Sequence, residues 1–209
     1  MNRVRVKICG ITRVEDGLAA ARLGADAIGF VFHPESARAV TPDQALEISR
    51  RLPPFVARVA LFLDASDDEV AHVVATLRPD LLQFHGAEAP EFCRGFAMPY
   101  LKSVPMGDAD VDLAAWAEAY GDSQGLLLDA NRVGQAGGSG ETFDWSAERV
   151  LPDRPVVVAG GLNADNVGAA IRRFEPYAVD TSSGVESAPG IKDTQRMSDF
   201  MRAVTKSTG

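Results

Sequence analysis

The chain has 209 residues, of which 46% are hydrophobic and 24% are charged. This composition is typical of one globular domain and excludes a disordered chain, and two cysteines are too few for a disulfide-dependent miniprotein. Lys and Arg number 21 against 29 Asp and Glu, and the net charge of −8 argues against a general nucleic-acid or anionic-membrane surface. We therefore expect any anionic ligand to be captured by a local site.

The N-terminal segment has neither the long apolar run nor the small-residue cleavage site of a secretory signal. No stretch approaches the roughly 18 apolar residues of a membrane span. With only two isolated cysteines, Cys9 and Cys93, these features predict a cytoplasmic protein without a membrane partner. A redox function of the two thiols is disfavoured because they lie far apart and lack C-x-x-C spacing.

Eight short runs of β-forming residues recur along the chain, each followed by a turn and then by a helical pattern. They cover residues 4–9, 26–32, 57–63, 81–85, 100–104, 125–129, 155–159 and 177–181. Helix starts are marked by Thr41 before Pro42 and by Ser66 before an acidic turn, and residues 148–151 predict a short sixth helix.

Repeated strand–helix units predict parallel strands joined by right-handed crossovers, and hence an α/β fold. Five or six units would leave an open doubly wound sheet, whereas eight units favour a single (β/α)8 TIM barrel over residues 1–209. Since a typical barrel has roughly 250 residues, its loops must be short.

The first strand carries a candidate reactive thiol. Period-two alternation sends Val6 and Ile8 towards the helices and Lys7 and Cys9 into the barrel, with Cys9 at the carboxyl-terminal rim where barrel enzymes carry their reactive groups. A small buried hydrophobe is the alternative reading of Cys9, and the one we adopt for Cys93.

The sixth strand ends on Asp129, after three leucines and at the same rim. An aspartate here either caps a loop or supplies a carboxyl group for acid–base chemistry. A partly desolvated carboxyl group has a raised pKa and can act as a general acid. Cys9 and Asp129 would then form an acid–base pair across the barrel mouth.

Two small-residue turns follow the seventh and eighth strands. Gly160 and Gly161 follow the seventh strand, and Ser182, Ser183 and Gly184 follow the eighth. Each alone could be only a turn, but barrels frequently bind phosphate with the loops after these two strands, through backbone N–H groups, hydroxyls and helix N-termini. Together they predict a phosphate site that needs no basic surface.

Two further rim residues are candidate ligand contacts. Arg38, in the loop after the second strand, could bind a planar carboxylate bidentately or be an ordinary surface arginine. His85 ends the fourth strand and shares a face with Gln83, so it is either a ligand contact or a structural histidine. His33 and His72 have no companions at metal-ligand spacing, and we predict no metal site.

Six segments in this order resemble the phosphoribosylanthranilate isomerase family over essentially the whole chain. They are KICGIT at 7–12, QFHG at 83–86, LD at 128–129, GSGETFDW at 138–145, AGGL at 159–162 and DTSSGVE at 180–186. KICGIT, and DTSSGVE followed by PGIKD at 189–193, are the most specific.

The resemblance implies a cofactor-independent step of tryptophan biosynthesis, the Amadori rearrangement of N-(5'-phosphoribosyl)anthranilate, a small phosphosugar substrate. It implies that Asp129 is the general acid that opens the sugar ring and that Cys9 is the general base that takes the C2' proton. It also implies that Arg38 binds the anthranilate carboxylate and that the two small-residue turns bind the phosphate. The chain departs from the family pattern around Arg38, at Glu35, Ala37 and Ala39, which leaves the rigidity of that loop open.

Lys7 requires a partner, because a cation inside a barrel is costly unless it is paired. The first and eighth strands become neighbours when the barrel closes, so we predict a structural ion pair between Lys7 and Asp180.

The sequence leaves open two alternative functions and the oligomeric state. A non-catalytic barrel that binds a phosphorylated ligand is one alternative function. Another phosphosugar barrel enzyme is a second, although a synthase would need a catalytic lysine and an epimerase metal-binding histidines. The oligomeric state, monomer or homodimer, is also undecided.

Overall fold

The computed structural model describes residues 3–108, 111–131, 142 and 153–208. Eight parallel strands close into a barrel in chain order, with the last strand paired to the first. They are β1 (Arg5–Ile8), β2 (Ala27–Val31), β3 (Ala57–Phe62), β4 (Leu81–Phe84), β5 (Tyr100–Pro105), β6 (Gly125–Asp129), β7 (Val156–Val158) and β8 (Ala178–Thr181). The predicted barrel is confirmed, and no strand end differs from its prediction by more than one residue.

The helices of the described residues lie between the strands and after the last one. They are α1 (Val14–Arg22), α2 (Pro42–Ser49), α3 (Asp67–Leu77), α4 (Pro90–Gly95), α5 (Leu113–Ala119), α6 (Val167–Phe174) and α7 (Thr194–Thr208). A single 3-10 turn (Ser183–Val185) follows β8 and leads into an antiparallel hairpin of β9 (Glu186–Ala188) and β10 (Ile191–Lys192). None of these helices combines the length and apolar character that a membrane crossing requires.

Two sequence predictions lie outside the described residues. One is the short helix at 148–151, and the other is the 138–145 segment of the family resemblance, of which only Thr142 is described.

Two helices begin where the sequence predicts. Thr41 accepts a hydrogen bond from the backbone N–H of Gln44, whose side chain accepts one in return from the Thr41 N–H. Ser66 and Glu69 form the same reciprocal box before α3. These boxes satisfy N–H groups that lack a partner inside the helix. They start α2 and α3 just beyond the loops that border the barrel mouth.

Strand β1 has the predicted alternation. Val6 and Ile8 belong to the hydrophobic core shared with the helices, whereas Lys7 points to the barrel interior and meets Asp180 on β8. Lys7 Nζ lies 2.9 Å from Asp180 Oδ2, so the predicted ion pair is present across the seam where the barrel closes. Burial opposes the charge of Lys7, but Asp180 and Cys9 outweigh it and hold the Lys7 pKa above its ordinary value.

Candidate active site

A cavity opens at the carboxyl ends of the strands. This is the face on which TIM barrels carry their active sites. The predicted site residues in its wall are Cys9, Arg38, His85, Asp129, Gly160, Gly161, Asp180, Ser182 and Ser183. Residues at the carboxyl ends of β1, β4, β6, β7 and β8, and from the loop after β2, thus converge on one space.

Cys9 follows β1 directly and is held by its backbone, whose N–H donates to Thr181 O at 2.8 Å. Gly29 on β2 makes room for the thiol, because a Cβ there would lie 2.8 Å from Cys9 Sγ and 3.1 Å from Lys7 Cε. Burial raises the pKa of the Cys9 thiol, and the charges of Lys7 and Lys192 offset only part of that effect. The resting group at neutral pH is therefore the thiol.

Asp129 ends β6 on the far side of the cavity and is only 7% exposed. Its Oδ1 accepts a hydrogen bond from the N–H of Asn131 at 2.9 Å, and its Oδ2 lies 3.9 Å from His85 Nε2. His85 in turn contacts Gln83 Nε2 through Nδ1 at 3.2 Å. Burial lowers the pKa of His85 although Asp129 opposes the shift, so the imidazole is neutral at neutral pH.

The two small-residue turns stand side by side at the cavity. Gly160 and Gly161 have positive φ angles of 81° and 61°, and a Cβ on Gly160 would collide with Ala130, the residue after Asp129. Ser182 and Ser183 line the cavity, whereas Gly184 lies behind its wall, where a Cβ would overlap the carbonyl oxygen of Leu162. The turn after β8 is a 3-10 turn of three residues.

Arg38 reaches the cavity from the loop after β2. That loop is tied by hydrogen bonds from Arg38 N to Ser36 Oγ at 3.1 Å and from Ala39 N to Ser36 O at 3.0 Å. The stem of Arg38 passes over Gly10, which has a φ of +72° and where a Cβ would lie 2.6 Å from Arg38 Cδ. The loop therefore has internal hydrogen bonds despite its departures from the family pattern.

Sequence reasoning missed two charged residues beside the site. Lys192 Nζ donates to Glu186 Oε1 at 2.7 Å, to Ser182 O at 3.2 Å and to Ser182 Oγ at 3.3 Å, and Ser182 Oγ donates to Cys9 O at 3.1 Å. Glu186 and Lys192 belong to the DTSSGVE and PGIKD segments, so their motifs were visible in the sequence. Their pairing was not, because it depends on the β9–β10 hairpin that faces the two residues towards each other.

Within the described part of the chain, no group of three or more His, Cys, Asp or Glu side chains could hold a metal ion. The chemistry available at the cavity is that of a thiol, a carboxyl group and a neutral imidazole beside backbone-rich turns. These features define a class, a TIM-barrel enzyme that performs acid–base chemistry on a small anionic substrate.

The particular family follows from comparison with known proteins. The family model for N-(5'-phosphoribosyl)anthranilate isomerase matches residues 6–203. An N-(5'-phosphoribosyl)anthranilate isomerase of Pseudomonas putida is 52% identical over 204 residues, covering 98% of each chain. The chain therefore belongs to the N-(5'-phosphoribosyl)anthranilate isomerase family. It is an intramolecular oxidoreductase of the aldose–ketose type that acts in tryptophan biosynthesis.

Two solved structures agree with this assignment. The phosphoribosyl anthranilate isomerase of Thermus thermophilus has a TM-score of 0.87 and 38% identity, covering 97% of this chain and 99% of that one. A second phosphoribosyl anthranilate isomerase has a TM-score of 0.80, 38% identity and the same coverage. That protein was solved with reduced 1-(o-carboxyphenylamino)-1-deoxyribulose 5-phosphate bound.

Proposed function

We propose that Asp129 and Cys9 are the general acid and general base of the isomerisation. The observation that carries this assignment is their position, because Cys9 follows β1, Asp129 ends β6 three strands away round the closed barrel, and both line the same cavity. A substrate held between them can be protonated on one side and deprotonated on the other.

The reaction begins when the Asp129 carboxyl group donates a proton to the furanose ring oxygen. The C1'–O bond breaks, and the anthranilate nitrogen forms an iminium ion with C1'. This cation acidifies the C2'–H bond. Cys9 loses its thiol proton to solvent, and the resulting thiolate takes the C2' proton to give an enolamine, while solvent returns a proton to Asp129. Product forms when the enol proton of the 2'-oxygen is lost and a proton is added to C1', so substrate and product are isomers. The positive charge of the iminium favours the thiolate when it is needed.

We assign the phosphate to the two turns at the carboxyl ends of β7 and β8. Gly160, Gly161, Ser182 and Ser183 supply close backbone and hydroxyl groups at the cavity, and Gly184 lets the second turn pack against the first. Lys192 contributes a buried positive charge behind Ser182.

We assign the aromatic end of the substrate to the part of the mouth formed by the loop after β2 and the end of β4. Arg38 would bind the anthranilate carboxylate, because it lines the cavity and a guanidinium matches a carboxylate bidentately. His85 would contact the substrate as a neutral group beside Asp129.

Turnover of phosphoribosylanthranilate, followed by the loss of its fluorescence, tests the acid–base pair. We expect Cys9→Ala and Asp129→Asn each to lower kcat by about 10²- to 10⁴-fold, the range for removal of one acid or base. Cys93→Ala makes the same change at the other buried thiol and should keep most of the activity. A folded Cys9→Ala or Asp129→Asn variant with near-normal kcat would refute the role of that residue.

We further propose a cytoplasmic enzyme, a compartment that suits two buried and unpaired cysteines. Its oligomeric state, predicted as monomer or homodimer, is decided by sedimentation velocity. The same run also reports whether added substrate analogue changes the assembly.

A further inference from the structure

The Arg38 guanidinium is held by a carboxylate of the chain itself. Nε donates to Glu186 Oε1 at 2.9 Å, and Nη2 donates to Glu186 Oε2 at 2.8 Å. This is the bidentate arrangement in which the side edge of a guanidinium binds a carboxylate. The two side chains are only 12% and 5% exposed, so the pair is largely withdrawn from water.

A guanidinium has a second edge, formed by Nη1 and the remaining N–H of Nη2. Among the described residues, nothing accepts a hydrogen bond from Arg38 Nη1, and Arg38 lines the cavity. The contact with Glu186 therefore occupies one edge and leaves the other available for a second carboxylate.

Glu186 is itself held in place from two further directions. Its Oε1 also accepts from Lys192 Nζ at 2.7 Å and from the N–H of Gly190 at 3.3 Å. Burial raises the pKa of Glu186, but Arg38 and Lys192 outweigh that effect and hold the pKa below its ordinary value. The Glu186 carboxylate therefore stays ionised beside Arg38 and Lys192.

We propose that Glu186 is a positioning residue for the reaction, which directs the free edge of Arg38 at the aromatic carboxylate of the substrate. Arg38 is then fixed along its whole length, by Ser36 at the backbone, by Gly10 beneath its stem and by Glu186 at its head. Such pre-organisation lowers the cost of ordering a long side chain when the ligand binds. Glu186 would thereby set the preference for a carboxylated aryl amine. This inference rests on the role proposed above for Arg38.

Two ligands separate this role from a general structural one. The first is reduced 1-(o-carboxyphenylamino)-1-deoxyribulose 5-phosphate, and the second is the same compound with hydrogen in place of the aromatic carboxylate. Calorimetry gives the Kd of each ligand. The ratio used here is the Kd of the ligand without the carboxylate divided by the Kd of the carboxylated ligand. It reports carboxylate recognition alone, because both ligands share the phosphate and the sugar chain.

We expect Glu186→Gln to reduce this ratio about tenfold, because Arg38 loses the charged hydrogen-bond partner that orients it. Glu186 also holds Lys192 behind Ser182, and weaker phosphate binding through Lys192 would affect both ligands alike and cancel in the ratio. In turnover, the variant should raise KM more than it lowers kcat. Arg38→Ala should reduce the ratio at least as far. Glu186→Asp keeps the charge but is one methylene shorter, so it should give an intermediate ratio, and it supplies the same readout if Glu186→Gln fails to fold.

Glu88→Gln is the matched control, because Glu88 is also buried and paired with a lysine, at 2.7 Å from Lys102 Nζ, but does not contact Arg38. It should leave the ratio unchanged. An unchanged ratio in Glu186→Gln with a reduced ratio in Arg38→Ala would overturn the role of Glu186 and leave that of Arg38 intact. An unchanged ratio in Arg38→Ala would refute the Arg38 assignment itself. Tighter binding of the carboxylated ligand by Glu186→Gln would mean that Glu186 competes with the substrate for Arg38.

Discussion

The environment of Cys9 contains opposing influences on the thiol. Burial disfavours the thiolate, while the positive charges of Lys7 and Lys192 favour it, and burial is the larger effect. In the free enzyme Cys9 is therefore a protonated and weakly reactive thiol. This suits a base that is required only after the iminium ion has formed, and it protects the thiol from oxidation in the resting state.

Alkylation by iodoacetamide in a Cys93→Ser background measures the Cys9 pKa directly, since only Cys9 then remains to react. Because only the thiolate reacts, a pKa above the ordinary 9.0 predicts a rate constant that rises about tenfold per pH unit until the pH exceeds 9. Mass spectrometry gives the rate at each pH. A plateau reached near pH 7 would show that the two lysines outweigh burial.

The background substitution should itself be harmless to the site. Cys93 lies on α4 and does not line the cavity, so its replacement should leave the active site unchanged. A Cys93→Ser enzyme with normal kcat confirms that the titration describes the active site.

At the scale of elements, two turns become one binding surface because Gly184 allows them to touch. A Cβ at this position would overlap the backbone carbonyl of Leu162, which is unable to rotate away as a side chain would. Gly184→Ala should therefore cost about 1–3 kcal/mol of stability and weaken the binding of inorganic phosphate. Thermal unfolding and phosphate titration by calorimetry measure the two effects.

Gly95→Ala is the control for this substitution. Gly95 ends α4, its φ is not positive, and no heavy atom would lie within 4 Å of an added Cβ. It should leave phosphate binding unchanged and stability equal or slightly higher, since alanine favours a helix more than glycine does. If Gly184→Ala binds phosphate as well as Gly95→Ala does, the turn after β8 is not part of the phosphate site.

Contacts between loops limit how much of the site can be predicted from the sequence. The rim positions of Cys9 and Asp129 follow from strand periodicity, so the sequence predicts them residue by residue. The partner of Arg38 does not follow from strand periodicity, because Glu186 lies 148 residues further along the chain and reaches Arg38 only through the hairpin that follows β8. No local pattern encodes a contact between two loops.

For the molecule as a whole, the Lys7–Asp180 pair joins residues 173 positions apart at the seam of the barrel. Removal of one buried charge leaves the other without compensation, so Lys7→Met should destabilise the fold by about 3–5 kcal/mol. The double variant Lys7→Met with Asp180→Leu removes both charges and should unfold less readily than the single one. Urea denaturation compares them, and a double variant less stable than Lys7→Met would contradict a mainly structural ion pair.

The (β/α)8 fold, the inward orientation of Lys7 and Cys9, the Lys7–Asp180 pair and the family can all be predicted from the amino-acid sequence. These follow from period-two alternation, from repeated strand–helix units and from the rule that a closed barrel joins its first and last strands. The contacts of Glu186, Lys192 and Gly184 could not be predicted in this way. Their contacts depend on loop paths and on distances of a few ångströms between distant segments, which are set when the whole barrel packs.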